Sequence, residues 1–430
     1  MTAAATIPLN GFQRTMLLWE EIHPYIAVHA VRLRGHCDGD ALRDAIAAAR
    51  RELGVGSICV APDGRSMAIA PPAETAALSV SECDGADAAL TAAIDEEMNR
   101  PFGAGRHDPL RWRVLQRRDD SFWLLLAYHH VVADARGIER LMARIVARCV
   151  GAAPVEASRA AVSRPPPVER TASAPAAFVR AMGLYFRMRY AHKMPDEREM
   201  DDRTVTARRS LAAPETARLI AACKSGGVGV NDACLAALTA ALAEQTPDRR
   251  VSRHRRELVL ASVLSTRAAE RCGAGAASQS AWDVRLADML VRVRHPDAGM
   301  SSILRTIAAQ TQQAKRRRSA TPVSVMHGFF VRNIWPIFGI PNHRRSYRKL
   351  LPISGGVSSV RVAEAGFGAA ADSVLAYVRA CPPGPAMPLV LAPTLMRGRV
   401  ELTLVFRPAT MPMLRGEALL DSVVAALSRP

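Results

Sequence analysis

The segment WLLLAYHHVVADARGIERLMARIVARCV, residues 123–150, constrains the fold more than any other part of the chain. An unbroken apolar run ends at Tyr128, His129, His130 and Asp134 follow, and a helical pattern begins at once. Ile138, Leu141, Met142, Ile145, Val146, Cys149 and Val150 recur at intervals of three and four, which places them on one side of a helix. A buried strand that feeds a one-faced helix predicts a mixed α/β lobe. The polar triplet then sits at a strand exit, half desolvated and close to the free N–H groups of a helix N-terminus. Imidazole, with an ordinary pKa of about 6.5, can take a proton at neutral pH and return it. The same residues have plainer readings. A histidine at a strand end can be a satisfied polar group, and Asp134 can be a helix cap. His and Asp at short spacing can also share a metal ion, but no third ligand is recognisable nearby, so no metal is expected.

The pattern continues on both sides of this segment. Residues 25–35 read as a strand, and Leu42, Ile46, Ala49 and Leu53 as a helix that stops at Gly54. Residues 111–117 and 121–128 read as a hairpin turning at Arg118, Asp119 and Asp120. A Pro/Ala/Ser-rich stretch over 151–177 lacks apolar periodicity and reads as an extended linker. Beyond it, Pro214 opens a helix that Gly226 and Gly227 close, and Asn231 or Asp232 is placed to cap another. Residues 257–265 and 399–407 read as strands, and the small-residue stretch 268–282 as a mobile loop. Two lobes are expected, 1–150 and 178–430, joined by the linker 151–177.

HHVVADARG resembles the HHxxxDG motif of the condensation-domain and chloramphenicol acetyltransferase-like acyltransferase superfamily. The resemblance extends along the chain: PLNGFQRTMLLW, LRGHCDGDALRDAIAAARRE, VGVNDACLAALTAAL, ELVLASVLSTR and LPISGGVSSVRV follow the family's order. It implies an α/β fold with mixed sheets, in which two acetyltransferase-like lobes form a V-shaped pseudo-dimer around an active-site tunnel. It further implies that His130 is the general base, that His129 and Asp134 maintain the loop with support from Gly137, and that Gly356 and Ser358 line the tunnel. Two departures stand out. Ala135 replaces the family's Gly after Asp, and ARRELGVG (49–56) lacks the pattern that supplies an Arg partner to the aspartate.

The implied reaction moves an acyl group from a thioester, acyl-CoA or acyl carrier protein, to a small-molecule hydroxyl or amine in secondary-metabolite or lipid biosynthesis. No permanently bound cofactor is expected; coenzyme A or a phosphopantetheine thioester is a co-substrate. Charge bears on the donor. Residues 1–165 hold 19 basic and 20 acidic groups, and 166–430 hold 38 and 20. The clusters at 249–256, 315–318 and 343–349 suit coenzyme A phosphates or an acidic carrier protein, with Arg316 and Arg317 as the densest donor-binding pair; the plainer reading is an Arg-rich solvated face. No nucleic-acid-binding motif accompanies the charge. Aromatics mixed with cations over 178–190 and 326–351 suit lobe packing or peripheral membrane contact. Without an export signal, a run long enough to span a membrane or any CxxC pair, a cytoplasmic monomer is expected. Two other functions stay open: an idle member of the fold that binds a carrier protein, metabolite or membrane, and a basic interaction protein.

Overall fold

The computed structural model describes residues 5–72, 74, 76–84, 87–103, 105–152, 179, 182–183, 186–195, 203–265, 284–317, 352–385 and 387–429. The apolar run of the sequence becomes the strand Ser121–His129, buried along its whole length. Successive side chains of a strand point to opposite faces, and this one divides its residues between two cores. Leu124, Leu126 and Tyr128 join the core beneath the helices Gly39–Leu53 and Ala135–Cys149. Trp123, Leu125 and Ala127 meet Leu90, Ile94 and Met98 of the helix Asp87–Asn99. A strand covered on both faces needs apolar residues at every position, which is why no alternation is visible there.

Around this strand forms a five-stranded sheet in the order Val374–Ala380, Ile26–Arg34, Ser121–His129, Leu110–Gln116, Leu78–Glu82. The expected hairpin is present, and its turn is made by Asp120 at φ 51°. Gly54 ends its helix at φ 66°, a left-handed conformation that glycine adopts at little cost. The lobe is not contiguous in sequence. Its edge strand Val374–Ala380 comes from the far end of the chain and pairs antiparallel with Ile26–Arg34, so the expected division into 1–150 and 178–430 is crossed here. The crossing covers an edge that would otherwise expose unpaired backbone groups.

A second, seven-stranded sheet contains Leu258–Ser265, Gly355–Val357, Leu389–Met396 and Arg399–Phe406, with Leu286–Val293 and Val205–Leu211 at its ends. Leu235, Leu238, Leu242, Ile303, Ile307, Leu419 and Val423 cover one face with helices. In the helix Val230–Gln245 the cap is Gly229, and Asp232 reaches back to accept its N–H at 3.1 Å. The helix Gly11–Glu20 closes the two lobes on one another. Its Met16 and Trp19 pack with Tyr25, Val259, Ala261, Val284 and Ile353, and Asn10 Nδ2 donates to Val284 O at 2.8 Å.

The cluster at 249–256 is only partly a free surface: Arg249 is buried and, with Arg250, is tied to Asp297. The linker beyond residue 152, the stretch 268–282, the cluster 343–349 and the aromatic segment 326–351 lie outside the described residues. Among the described residues no single helix is long and apolar enough to cross a membrane.

Candidate active site

The loop between the strand Ser121–His129 and the helix Ala135–Cys149 is held from several directions. His130 N donates to Tyr25 O at 3.3 Å and Val132 N to His129 O at 3.1 Å. Gln13 Nε2 donates to Val131 O at 2.8 Å, so the first helix of the chain pins the loop from above. Asp134 caps the following helix: its Oδ1 accepts from Gly137 N at 3.0 Å. Its Oδ2 accepts from Arg285 N, also at 3.0 Å, which binds the loop to the second lobe. A carboxylate placed between two backbone donors, 1% exposed, is well suited to holding two segments together.

The two histidines face different surroundings. His129 Nε2 lies against the half-buried Glu20 carboxylate, the ring stacks on Phe102 with centroids 5.8 Å apart, and it lies beside His107. His130 stacks on Tyr25 at 5.8 Å and meets the edge of Tyr128 at 5.5 Å. Its Nδ1 lies 3.0 Å from Ala133 O. A carbonyl can only accept, so Nδ1 carries the proton and the neutral ring presents the bare lone pair of Nε2. Among the described residues Nε2 has no hydrogen-bond partner. Burial pushes the pKa of His130 down to about 4; the Ala133 carbonyl and the Asp134 carboxylate oppose this, and the Arg379 cation reinforces it. The ring is therefore neutral and able to accept a proton throughout the physiological range.

Ala135 is the first residue of the helix, and among the described non-glycine residues only Asp120 and Arg397 have positive φ. A glycine is thus not required at 135 for the loop to form. Of the two cations in 49–56, Arg50 serves elsewhere: buried, it holds Asp108 with two hydrogen bonds of 2.7 and 3.0 Å. Gly356 pairs with Ala261 and Val390, and a Cβ there would stand 2.3 Å from Met387 Sδ. Ser358 lies beyond that strand and comes to the surroundings of His130 through Arg379, whose guanidinium donates to its carbonyl and hydroxyl. Arg316 and Arg317 end the helix Met300–Arg317, and their side chains lie outside the described residues.

Sequence reasoning missed the polar groups packed behind His130. His29 Nδ1 and Tyr377 OH lie 2.7 Å apart, Tyr128 meets His29 edge-on, and Arg379 stands opposite His29 across the strand pair. Burial lowers the pKa of His29 well below its ordinary value, and the Arg379 cation adds to this. A signal existed: a single charge inside the otherwise apolar strand VLAYVRA, and a single histidine inside IAVHAVRLR.

No protein-family model matches the chain. An isonitrile lipopeptide synthase of Mycobacterium tuberculosis is 31% identical over 165 residues, which cover 35% of this chain and 6% of that protein. The chain thus spans only a small fraction of that relative's length. The first condensation domain of the calcium-dependent antibiotic synthetase, solved with a substrate analogue, superposes with a TM-score of 0.71 at 14% identity, covering 99% of this chain and 96% of that one. The condensation domain of the monacolin K polyketide synthase gives 0.67 at 12% identity over 99% and 98%. The trichothecene 15-O-acetyltransferase of Fusarium sporotrichioides gives 0.69 at 12% over 99% and 96%. The fold described above is the condensation-domain fold.

Proposed function

We propose that this chain, which has the condensation-domain fold, is an acyltransferase that moves an acyl group from a thioester to a hydroxyl or amine, with His130 as general base. The observation that carries the reading is the state of one ring: Nδ1 is fixed on Ala133 O and Nε2 is left with an unshared lone pair. Nε2 takes the proton of the acceptor O–H or N–H as the acceptor's oxygen or nitrogen attacks the thioester carbon. The tetrahedral oxyanion collapses, the C–S bond breaks, and the imidazolium returns the proton to the leaving thiolate sulfur. An imidazolium with a pKa near 4 is a strong acid, so that return is downhill. No covalent enzyme intermediate is needed, and much of the acceleration comes from holding both substrates at one nitrogen. Asp134 and His129 keep the loop in place without moving protons.

The donor is a coenzyme A or carrier-protein thioester, consistent with the excess of cations over 166–430. The product belongs to secondary metabolism, in line with the synthases whose domains share the fold. Ala135 is accommodated as the first residue of a helix, so its departure from the motif's glycine does not by itself favour an idle protein. The test is release of free thiol from acyl-CoA and acyl-phosphopantetheine donors with and without alcohol and amine acceptors. Loss of a general base lowers rates by roughly 10²–10⁴-fold, so His130→Ala is expected to fall by that factor while melting as a folded protein. Equal turnover in wild type and variant would remove His130 from the chemistry.

A further inference from the structure

Three of the largest fully buried side chains are arginines: Arg50, Arg249 and Arg379. Two are neutralised, Arg50 by Asp108 and Arg249 by Asp297. Arg379 is not. Its hydrogen bonds are long and go to neutral acceptors: Nη1 to Ser358 O, Nη2 to Ser358 Oγ and Cys381 Sγ, each at 3.3 Å. Its Nε is buried and has no partner, and no carboxylate pairs with the guanidinium among the described residues. The buried acid whose charge bears on it, Glu139, bonds Arg136 through Oε2, keeps Oε1 buried without a partner and makes no hydrogen bond to Arg379; burial raises its pKa.

A buried cation without a counter-ion is unfavourable, and folds keep buried charges paired or bound to a ligand. Arg379 is 1% exposed, so bulk solvent does not screen its charge. Its location is equally specific. It sits on the strand that crosses between the lobes, contacts Ser358 of the second lobe, and its charge acts on His130. A guanidinium is a planar, permanently charged donor, and here Nε–H is left without an acceptor while Nη2 makes only long bonds to neutral Ser358 Oγ and Cys381 Sγ, which a carboxylate oxygen can replace.

We propose that Arg379 is a carboxylate-recognition group, and that the anion it lacks is carried by the acceptor, an amino or hydroxy acid whose amine or hydroxyl is delivered to Nε2 of His130. In a thioester donor the carboxyl carbon is already committed to sulfur, so the free carboxylate belongs to the acceptor. This assignment rests on the acyl-transfer reading of the site and narrows its substrate class.

The test uses butyrate and its neutral isostere butyramide as probes, titrated calorimetrically into the full-length protein without any thioester. Butyrate is expected to bind wild type and His130→Ala at least tenfold more tightly than butyramide, and Arg379→Gln is expected to erase the difference. Arg379→Gln is also expected to melt at or above the wild-type temperature, because a buried unpaired charge has been removed. Arg379→Lys keeps the charge without the fork and is expected to weaken butyrate alone; it supplies the readout if the Gln variant does not fold. Equal affinity of the two probes for wild type, or undiminished butyrate binding in both Arg379 variants, overturns the proposal. So does a thiol-release rate that Arg379→Gln lowers equally for carboxylated and amidated acceptors, which marks Arg379 as a stabiliser of the oxyanion. Because the binding arm needs no acyl transfer, carboxylate binding that survives while no thioester is turned over refutes the enzymatic reading alone.

Discussion

Replacing His130 with glutamine removes one buried ionisable group while keeping an N–H that can donate to Ala133 O. In the folded protein the imidazole holds a proton only below about pH 4, whereas in the unfolded chain it does so below the ordinary 6.5. Between those values the unfolded state binds the extra proton, so stability falls as pH falls from 6.5 to 4 and is fully present above 6.5. A gap of roughly 2.5 in pKa, at about 1.4 kcal/mol for each factor of ten, is worth about 3 kcal/mol. Urea unfolding of wild type and His130→Gln at steps from pH 7 to pH 4 measures it. His107 and His192, whose pKa values burial also lowers, titrate in both proteins and cancel in the difference. The wild type is expected to lose about 3 kcal/mol relative to the variant across the window. The same proton governs catalysis: kcat/KM of wild type should stay level as pH falls past 6.5 and decline only near 4. Parallel stability profiles, or activity that halves near pH 6.5, would show that His130 is not held neutral by burial and would refute the assignment of its lone pair.

His129→Ala removes the contact of Nε2 with the half-buried Glu20 carboxylate and is expected to cost roughly 1.5–3 kcal/mol, read as a lower unfolding midpoint with activity falling in parallel. Asp134→Ala removes both the helix cap and the bond to Arg285 N, for an expected loss of about 2–3 kcal/mol; unchanged melting would contradict the double role. Ala135→Gly introduces the glycine of the HHxxxDG motif that the segment resembles into a position that is helical here, so stability should drop by about 0.5–1 kcal/mol, and a tenfold gain in turnover would contradict the helical reading. Reversing Arg316 and Arg317 to Glu is expected to raise donor KM and flatten its dependence on salt, since a Debye length of about 8 Å screens such capture; identical slopes would reduce the pair to a solvated face.

Local pattern carried far into this molecule. The apolar run before His129 and the seven helix-spaced residues after Asp134 became the strand Ser121–His129 and the helix Ala135–Cys149, because periods of two and 3.6 are imposed by each segment's own backbone. Turn residues carried as far: Asp120 and Gly54 stop their elements where a left-handed conformation is needed. The motif HHVVAD likewise marked the loop that holds the site. What no local pattern contains is a partner chosen by packing. The strand Val374–Ala380 finds its place beside Ile26–Arg34, bringing Tyr377 onto His29 across 348 positions. Asp134 is satisfied by an amide 151 positions away, and the site's tightest restraints come from such distant donors. The sequence by itself therefore determined the elements, the loop between them and the imidazole proposed to carry the proton. Only the tertiary structure decided which histidine meets an acid and, among the described residues, which ring nitrogen has no hydrogen-bond partner and which buried arginine has no paired carboxylate. Periodicity is a property of neighbouring residues, whereas desolvation and charge pairing depend on everything the fold brings within a few ångströms.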